Sequence, residues 1–141
     1  MSKRQTKEQE RAKYAWECVE KAQATLRKDA SEYGQLARGL PAFIQTNGLG
    51  QTLAFLLSKG KNDSRKPHQQ LYLHLSEWTT EQLGWGKSDK LMQELTRPNH
   101  DSNDYRRATN EVMALLIWLR RFAEAQLIKD DKQEGNDATT T

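Results

Sequence analysis

One cysteine, three prolines and eight glycines among 141 residues leave little room for several classes of protein. The lone thiol, Cys18, cannot build a disulfide framework, which points to a reducing, cytoplasmic setting. Collagen-like and low-complexity chains need far more glycine and proline. No apolar run approaches the roughly 18 residues that a membrane span requires. The opening MSKRQTKEQERAK is basic, but no apolar segment follows it, so it does not read as a secretory signal. Apolar residues are themselves scarce, 35% against 29% charged. A chain of this length can still close one core, and the balance suits helices with thin apolar stripes and broad wet faces.

Within those limits the helical period dominates. Over the first 28 residues or so, Ala15, Cys18, Ala22 and Leu26 form one stripe, widened by Tyr14 and Val19. Ser31 reads as the N-cap of a second helix carrying Tyr33, Leu36, Ala37 and Leu40, and Pro41 either kinks it or opens a new one. Thr46-Asn47-Gly48 stops that run, with Gly48 as the left-handed residue beyond the helix end. Leu49, Leu53, Leu56 and Leu57 mark a further helix ending at Lys59-Gly60. KGKNDSRKP is the clearest loop, and Pro67 can begin the next helix. The leucines of LYLHLSEWTTEQLG alternate as in a strand, but no second strand exists to pair with, so a helix is expected. Ser88 or Asp89 is the expected cap of a short LMQELT helix, and the stretch from Asp101 to Asp104 offers caps for the last one, about Tyr105 to Lys129. The centre of that helix, VMALLIWL, is apolar on every side, which makes it either the central post of the domain or a surface that a partner also buries. The expected fold class is all-α: one compact domain over residues 1–129, with five to seven helices, long first and last helices and no sheet. An acidic, disordered tail at 130–141 is expected to follow it.

Catalytic signatures are missing as well. Gly48-Leu49-Gly50 is followed by Gln51-Thr52-Leu53, where a nucleoside-triphosphate loop would need a lysine and a hydroxyl; a corner between two helices is the better reading. A helix start with free N–H groups can still receive a backbone phosphate, and Gln45, Thr46 and Asn47 stand beside this one. His68, His74 and His100 lack metal-ligand spacing. Cys18 falls on an apolar stripe, as a small buried thiol does, and Asp101 and Asp104 read as caps. No enzyme, metal or cofactor is expected.

Cations do cluster. The last twelve residues carry four acids and one lysine, so the net +3 of the whole chain leaves +6 on the other 129. Lys59, Lys61, Arg65 and Lys66 surround the central loop. Arg106-Arg107 and Arg120-Arg121 repeat fourteen residues apart, close to four helical turns, which makes a strip about 20 Å long on one side of the last helix. Such a strip can follow a phosphate backbone. It can equally be a solvated face whose cations pair with Glu111 and Glu124.

Two segments together, GLPAFIQTNGLGQTLAFLLSKG and YRRATNEVMALLIWLRRFAEAQL, resemble the small helical subunit of the Cmr complex, the type III-B CRISPR effector that uses a guide RNA to destroy invader RNA. The opening YAWECVEKA fits the same pattern, so the resemblance covers most of residues 12–127, with 58–70 and both ends outside it. It implies an all-helical, non-catalytic protein that stacks with copies of itself beside the guide-RNA backbone subunits. The stack would line a basic channel for single-stranded target RNA, and cleavage would belong to neighbouring subunits. On this reading the RNA contacts are Arg38, Lys59, Arg106, Arg107, Arg120 and Arg121, helped by Gln45 and Asn47 at the helix corner. Trp118 and Leu119 are expected in the core, and Trp16 and Trp85 are either buried or subunit contacts. Two rivals remain: a helical protein-interaction scaffold that never touches RNA, and an RNA-cleaving enzyme working through His68 or His100.

Overall fold

The computed structural model describes residues 4–128, so the proposed tail at 130–141 lies outside the described residues. Helix α1 runs Lys7–Leu26 and starts with a capping box: Thr6 Oγ1 accepts from the Gln9 N–H at 3.0 Å, and Gln9 Oε1 accepts from the Thr6 N–H at 2.7 Å. Its buried residues, Ala15, Cys18, Val19, Ala22 and Leu26, are the expected stripe.

A 3-10 turn, Arg27–Asp29, leads into α2, Ala30–Gly60. Ser31 is therefore not the cap. Arg27 takes a positive φ of 51° to end α1, and the 3-10 turn then runs straight into α2, leaving no extended residue at the junction for a side chain to cap. Pro41 neither ends α2 nor restarts it, because the sole non-helical residue inside α2 is Gly48, at φ 85° and ψ 163°. The positive φ matches expectation, but ψ places Gly48 in the extended region open to glycine, not in the left-handed helical one. The break divides α2 into limbs 30–47 and 49–60, and the second folds back so that Phe43 and Phe55 stack with ring centroids 5.1 Å apart.

Helix α3, Pro67–Gln82, opens on its proline as expected. Helix α4, Leu91–Leu95, is not side-chain capped by Ser88 or Asp89; Lys90 holds the cap position, and Ser88 Oγ accepts from the Lys90 N–H at 3.0 Å instead. Helix α5, Ser102–Gln126, has a capping box between Asp101 and Asp104. No strand occurs among the described residues.

The central post is α3, not α5: eleven of its sixteen residues are buried, against six of twenty-five in α5. That burial explains the ambiguous sequence of α3, since a helix enclosed on most sides shows no clean amphipathic stripe. Its buried polar groups are largely bonded. Tyr33 Oη lies 2.6 Å from His74 Nδ1, the Tyr14 hydroxyl donates to the His74 carbonyl at 2.6 Å, and Trp78 Nε1 donates to Glu111 at 2.8 Å. Leu119 is buried in this core, while Trp118 and Trp85 are half-buried and Trp16 is exposed.

Candidate nucleic-acid interface

Helix α5 packs its Ala108, Val112, Leu115, Leu116, Leu119 and Ala123 side inward, which leaves Arg106, Arg107 and Arg121 exposed and Arg120 half-buried at the edge of the packed face. Fourteen residues at about 1.5 Å per residue separate the pairs by roughly 21 Å. Arg106 Nη2 donates to Asn103 Oδ1 at 3.2 Å, and Arg107 Nη1 lies 3.4 Å from Asp104 Oδ1. At the other end Arg121 Nη1 lies 3.8 Å from one oxygen of Glu124, while Arg38 Nε on α2 lies 3.1 Å from the other. One carboxylate thus joins Arg38 to the strip. The side chains of Arg38, Arg107 and Arg121 are 43%, 49% and 69% exposed. Exposed pairs of this kind hold their partners by about 0–1 kcal/mol, so a phosphate can recruit the same cations.

Glu111 does not serve the strip. It receives two bonds from Arg11 on α1, at 2.8 and 3.0 Å, and the same carboxylate takes the Trp78 N–H. Burial would push its carboxyl up, but the bonds from Arg11 and Trp78 outweigh this and hold it below the ordinary glutamate range.

The helix corner adjoins the N-terminal end of the strip through Tyr105. Its hydroxyl accepts the Gly50 N–H at 2.7 Å, so one of the amides the corner was expected to offer a phosphate is already bonded. Gln45 and Asn47 are exposed there, although Asn47 Nδ2 donates to the Phe43 carbonyl at 3.2 Å. Lys59 is not brought to this group. It lines a separate depression of about 260 Å³ with Arg65, Lys66 and His68, where Asp29 and Glu32 temper the positive charge.

Sequence reasoning missed two constellations. Between the arginine pairs, Met113, Ala114 and Ile117 meet Pro41 of α2 in an open hollow of about 440 Å³. The sole signal was the all-round apolar stretch at 112–119. Near α4, His100 sits between Glu94 and Asp104, 3.2 Å from each, with its ring centroid 4.1 Å from that of Trp85. Cys18 is buried and its thiol is pushed up to about 12, chiefly by burial, so it is a poor nucleophile. Among the described residues no group of three or more His, Cys, Asp or Glu is placed to hold a metal ion, and no helix is long and apolar enough to cross a membrane.

The family profile described as CRISPR-associated protein (Cas_Cmr5) matches residues 7–126, which span every helix from α1 to α5. The chain belongs to the Cmr5 family. A curated relative, "CRISPR system Cmr subunit Cmr5" of Thermus thermophilus, is 32% identical over 122 residues, covering 85% of this chain and 95% of the relative. The crystal structure of a CRISPR-associated Cmr5 family protein from the same organism superposes with a TM-score of 0.65 at 30% identity, over 86% of this chain and 98% of the other. The matched residues include those of the corner, the hollow and both arginine pairs, and the assignment to the small subunit of the type III-B Cmr complex stands on the whole helical domain.

Proposed function

We propose that this Cmr5-family chain is a non-catalytic subunit that stacks with copies of itself and with backbone subunits in the cytoplasm, forming a basic track that holds target RNA for guide-directed cleavage by its neighbours. The observation that carries the reading is the run of cations along one side of the molecule: exposed Arg106 and Arg107 at one end of α5, exposed Arg121 with half-buried Arg120 at the other, and exposed Arg38 beside them. Gln45 and Asn47 supply amides at the upper end of that run, and Lys59 would act as a separate contact. Phosphate contacts of this kind position a strand without reading it, which suits a complex in which pairing to the guide supplies sequence.

The test is binding of the full chain to a labelled 30-nucleotide single-stranded RNA at two salt concentrations, beside Arg106→Ala/Arg107→Ala and Arg120→Ala/Arg121→Ala. Each cation lost should lower the salt slope by about 0.7, so each pair lowers it by about 1.4. Binding indifferent to both pairs would remove the track from α5. Exposed Trp16 and Ile117, 39% and 62% accessible, favour the second reading, a protein-interaction scaffold without RNA contact. Salt-insensitive self-association with no RNA affinity would select it.

A further inference from the structure

The outer side of α5 is cationic at both ends and apolar in the middle. Ile117 is 62% exposed, well above the other exposed large hydrophobics, Trp16 and Tyr105 at 39% and 38%. With Pro41, Met113 and Ala114 it forms the floor of the 440 Å³ hollow; Asn110 stands at one edge, and Arg120 and Arg121 at the other. That volume lies within the roughly 300–1,000 Å³ of small-molecule sites. No acid lines it.

A bare phosphate track has no use for such a floor, because a sugar-phosphate chain gains nothing from burying isoleucine and methionine. A flat heteroaromatic ring that carries its own phosphate uses every group present. Its faces lie against the Ile117, Met113 and Pro41 side chains, its polar edge meets the donor and acceptor of the Asn110 amide, and the two guanidinium groups take the phosphate or stack on the ring. An aliphatic side chain from a protein would fill the floor but offer no anion to Arg120 or to Arg121, whose one acidic neighbour among the described residues is Glu124 at 3.8 Å. A strand running from Arg106-Arg107 to Arg120-Arg121 must also cross this place.

We propose that the hollow between Pro41 and α5 is a nucleobase subsite for single-stranded RNA, with Arg120 and Arg121 on the adjoining phosphate. The proposal rests on the RNA track described above and adds to it a contribution that salt does not screen. Ile117 and Asn110 are exposed, so replacing them leaves the core untouched.

The experiment compares the full chain, Ile117→Ser, Asn110→Ala and Arg120→Ala by fluorescence anisotropy. Each is titrated with labelled oligouridine and with an abasic ribose-phosphate oligomer of equal length. Ile117→Ser should weaken oligouridine binding roughly tenfold, the loss expected when one apolar side chain no longer covers a base, while leaving the abasic oligomer and the salt slope unchanged. Asn110→Ala should do the same to a smaller degree. Arg120→Ala should weaken both ligands and lower the slope by about 0.7. Equal affinities of wild type and Ile117→Ser for oligouridine would overturn the subsite and leave the track standing. Were Ile117→Ser instead to abolish self-association in sedimentation equilibrium without touching RNA affinity, the hollow would be a protein contact and the subsite would fall. Failure of the wild type to bind either oligomer at low salt would remove the RNA reading itself, and the subsite with it.

Discussion

On α5, Glu111 is held ionised by Arg11 and Trp78, with its side chain 12% exposed and that of Arg11 17% exposed. Glu111→Gln keeps the shape and loses the charge, and should cost about 1.5–3 kcal/mol at pH 7 in urea unfolding. Because the folded-state pKa is depressed, this stabilisation is whole above the unfolded value near 4.3 and fades as pH falls through the lower folded value. His74 responds in another window. Burial, with a smaller contribution from Lys21, lowers its imidazole to about 4, and burial keeps the Tyr33 hydroxyl protonated to donate to Nδ1. Its contribution is therefore whole above the unfolded value of about 6.5 and is lost as pH falls from there to about 4. Unfolding free energy of the wild type should drop by about 2–3 kcal/mol over that window. His74→Asn, which retains an acceptor but does not titrate, should start less stable and show a flat profile there. A wild-type profile as flat as that of His74→Asn would contradict the buried neutral imidazole.

At the scale of elements, the corner at Gly48 fixes how α2 doubles back, and the Tyr105 hydroxyl ties the first turn of α5 to it through the Gly50 N–H. A side chain at φ 85° and ψ 163° is strained whatever the space around it, so Gly48→Ala should cost about 1–3 kcal/mol. Tyr105→Phe leaves the Gly50 N–H without its protein acceptor and should cost about 1 kcal/mol, little more because the site is open to water. Urea midpoints of the two variants check both figures, and a Gly48→Ala protein as stable as wild type would contradict the backbone assignment. Much of this level was legible in the sequence, because Gly48, Pro67 and the Asp101–Asp104 box are local signals that act on their own neighbours. Two features were not. The joint between α1 and α2 depends on Arg27 accepting a positive φ, which no residue preference announces. The centrality of α3 depends on α1, α2 and α5 all closing over a helix rich in glutamine, serine and threonine, and polar composition pointed the other way.

For the whole molecule, charge is the property most readable from the chain and least dependent on contacts. The fourteen-residue repeat puts both arginine pairs on one side of α5 by helix geometry alone, and the packing of Ala108, Val112, Leu115, Leu116, Leu119 and Ala123 decides that this side faces outward. The hollow was hidden because it needs Pro41 and Ile117, distant in sequence, to meet across two helices. Charge also yields a prediction that requires no knowledge of how residues 130–141 are arranged, as these lie outside the described residues. Their net −3 offsets half of the +6 on the remainder of the chain. A chain ending at Lys129 should therefore associate with single-stranded RNA about two- to tenfold faster at low salt, through long-range attraction alone. The advantage should shrink steeply towards 0.5 M salt, where the screening length falls below about 5 Å. Stopped-flow association rates at the two salt concentrations separate this from a contact made by the tail. A purely electrostatic offset disappears with salt and leaves dissociation nearly unchanged, whereas a tail that physically covers the arginine face would keep slowing association when the charges are screened.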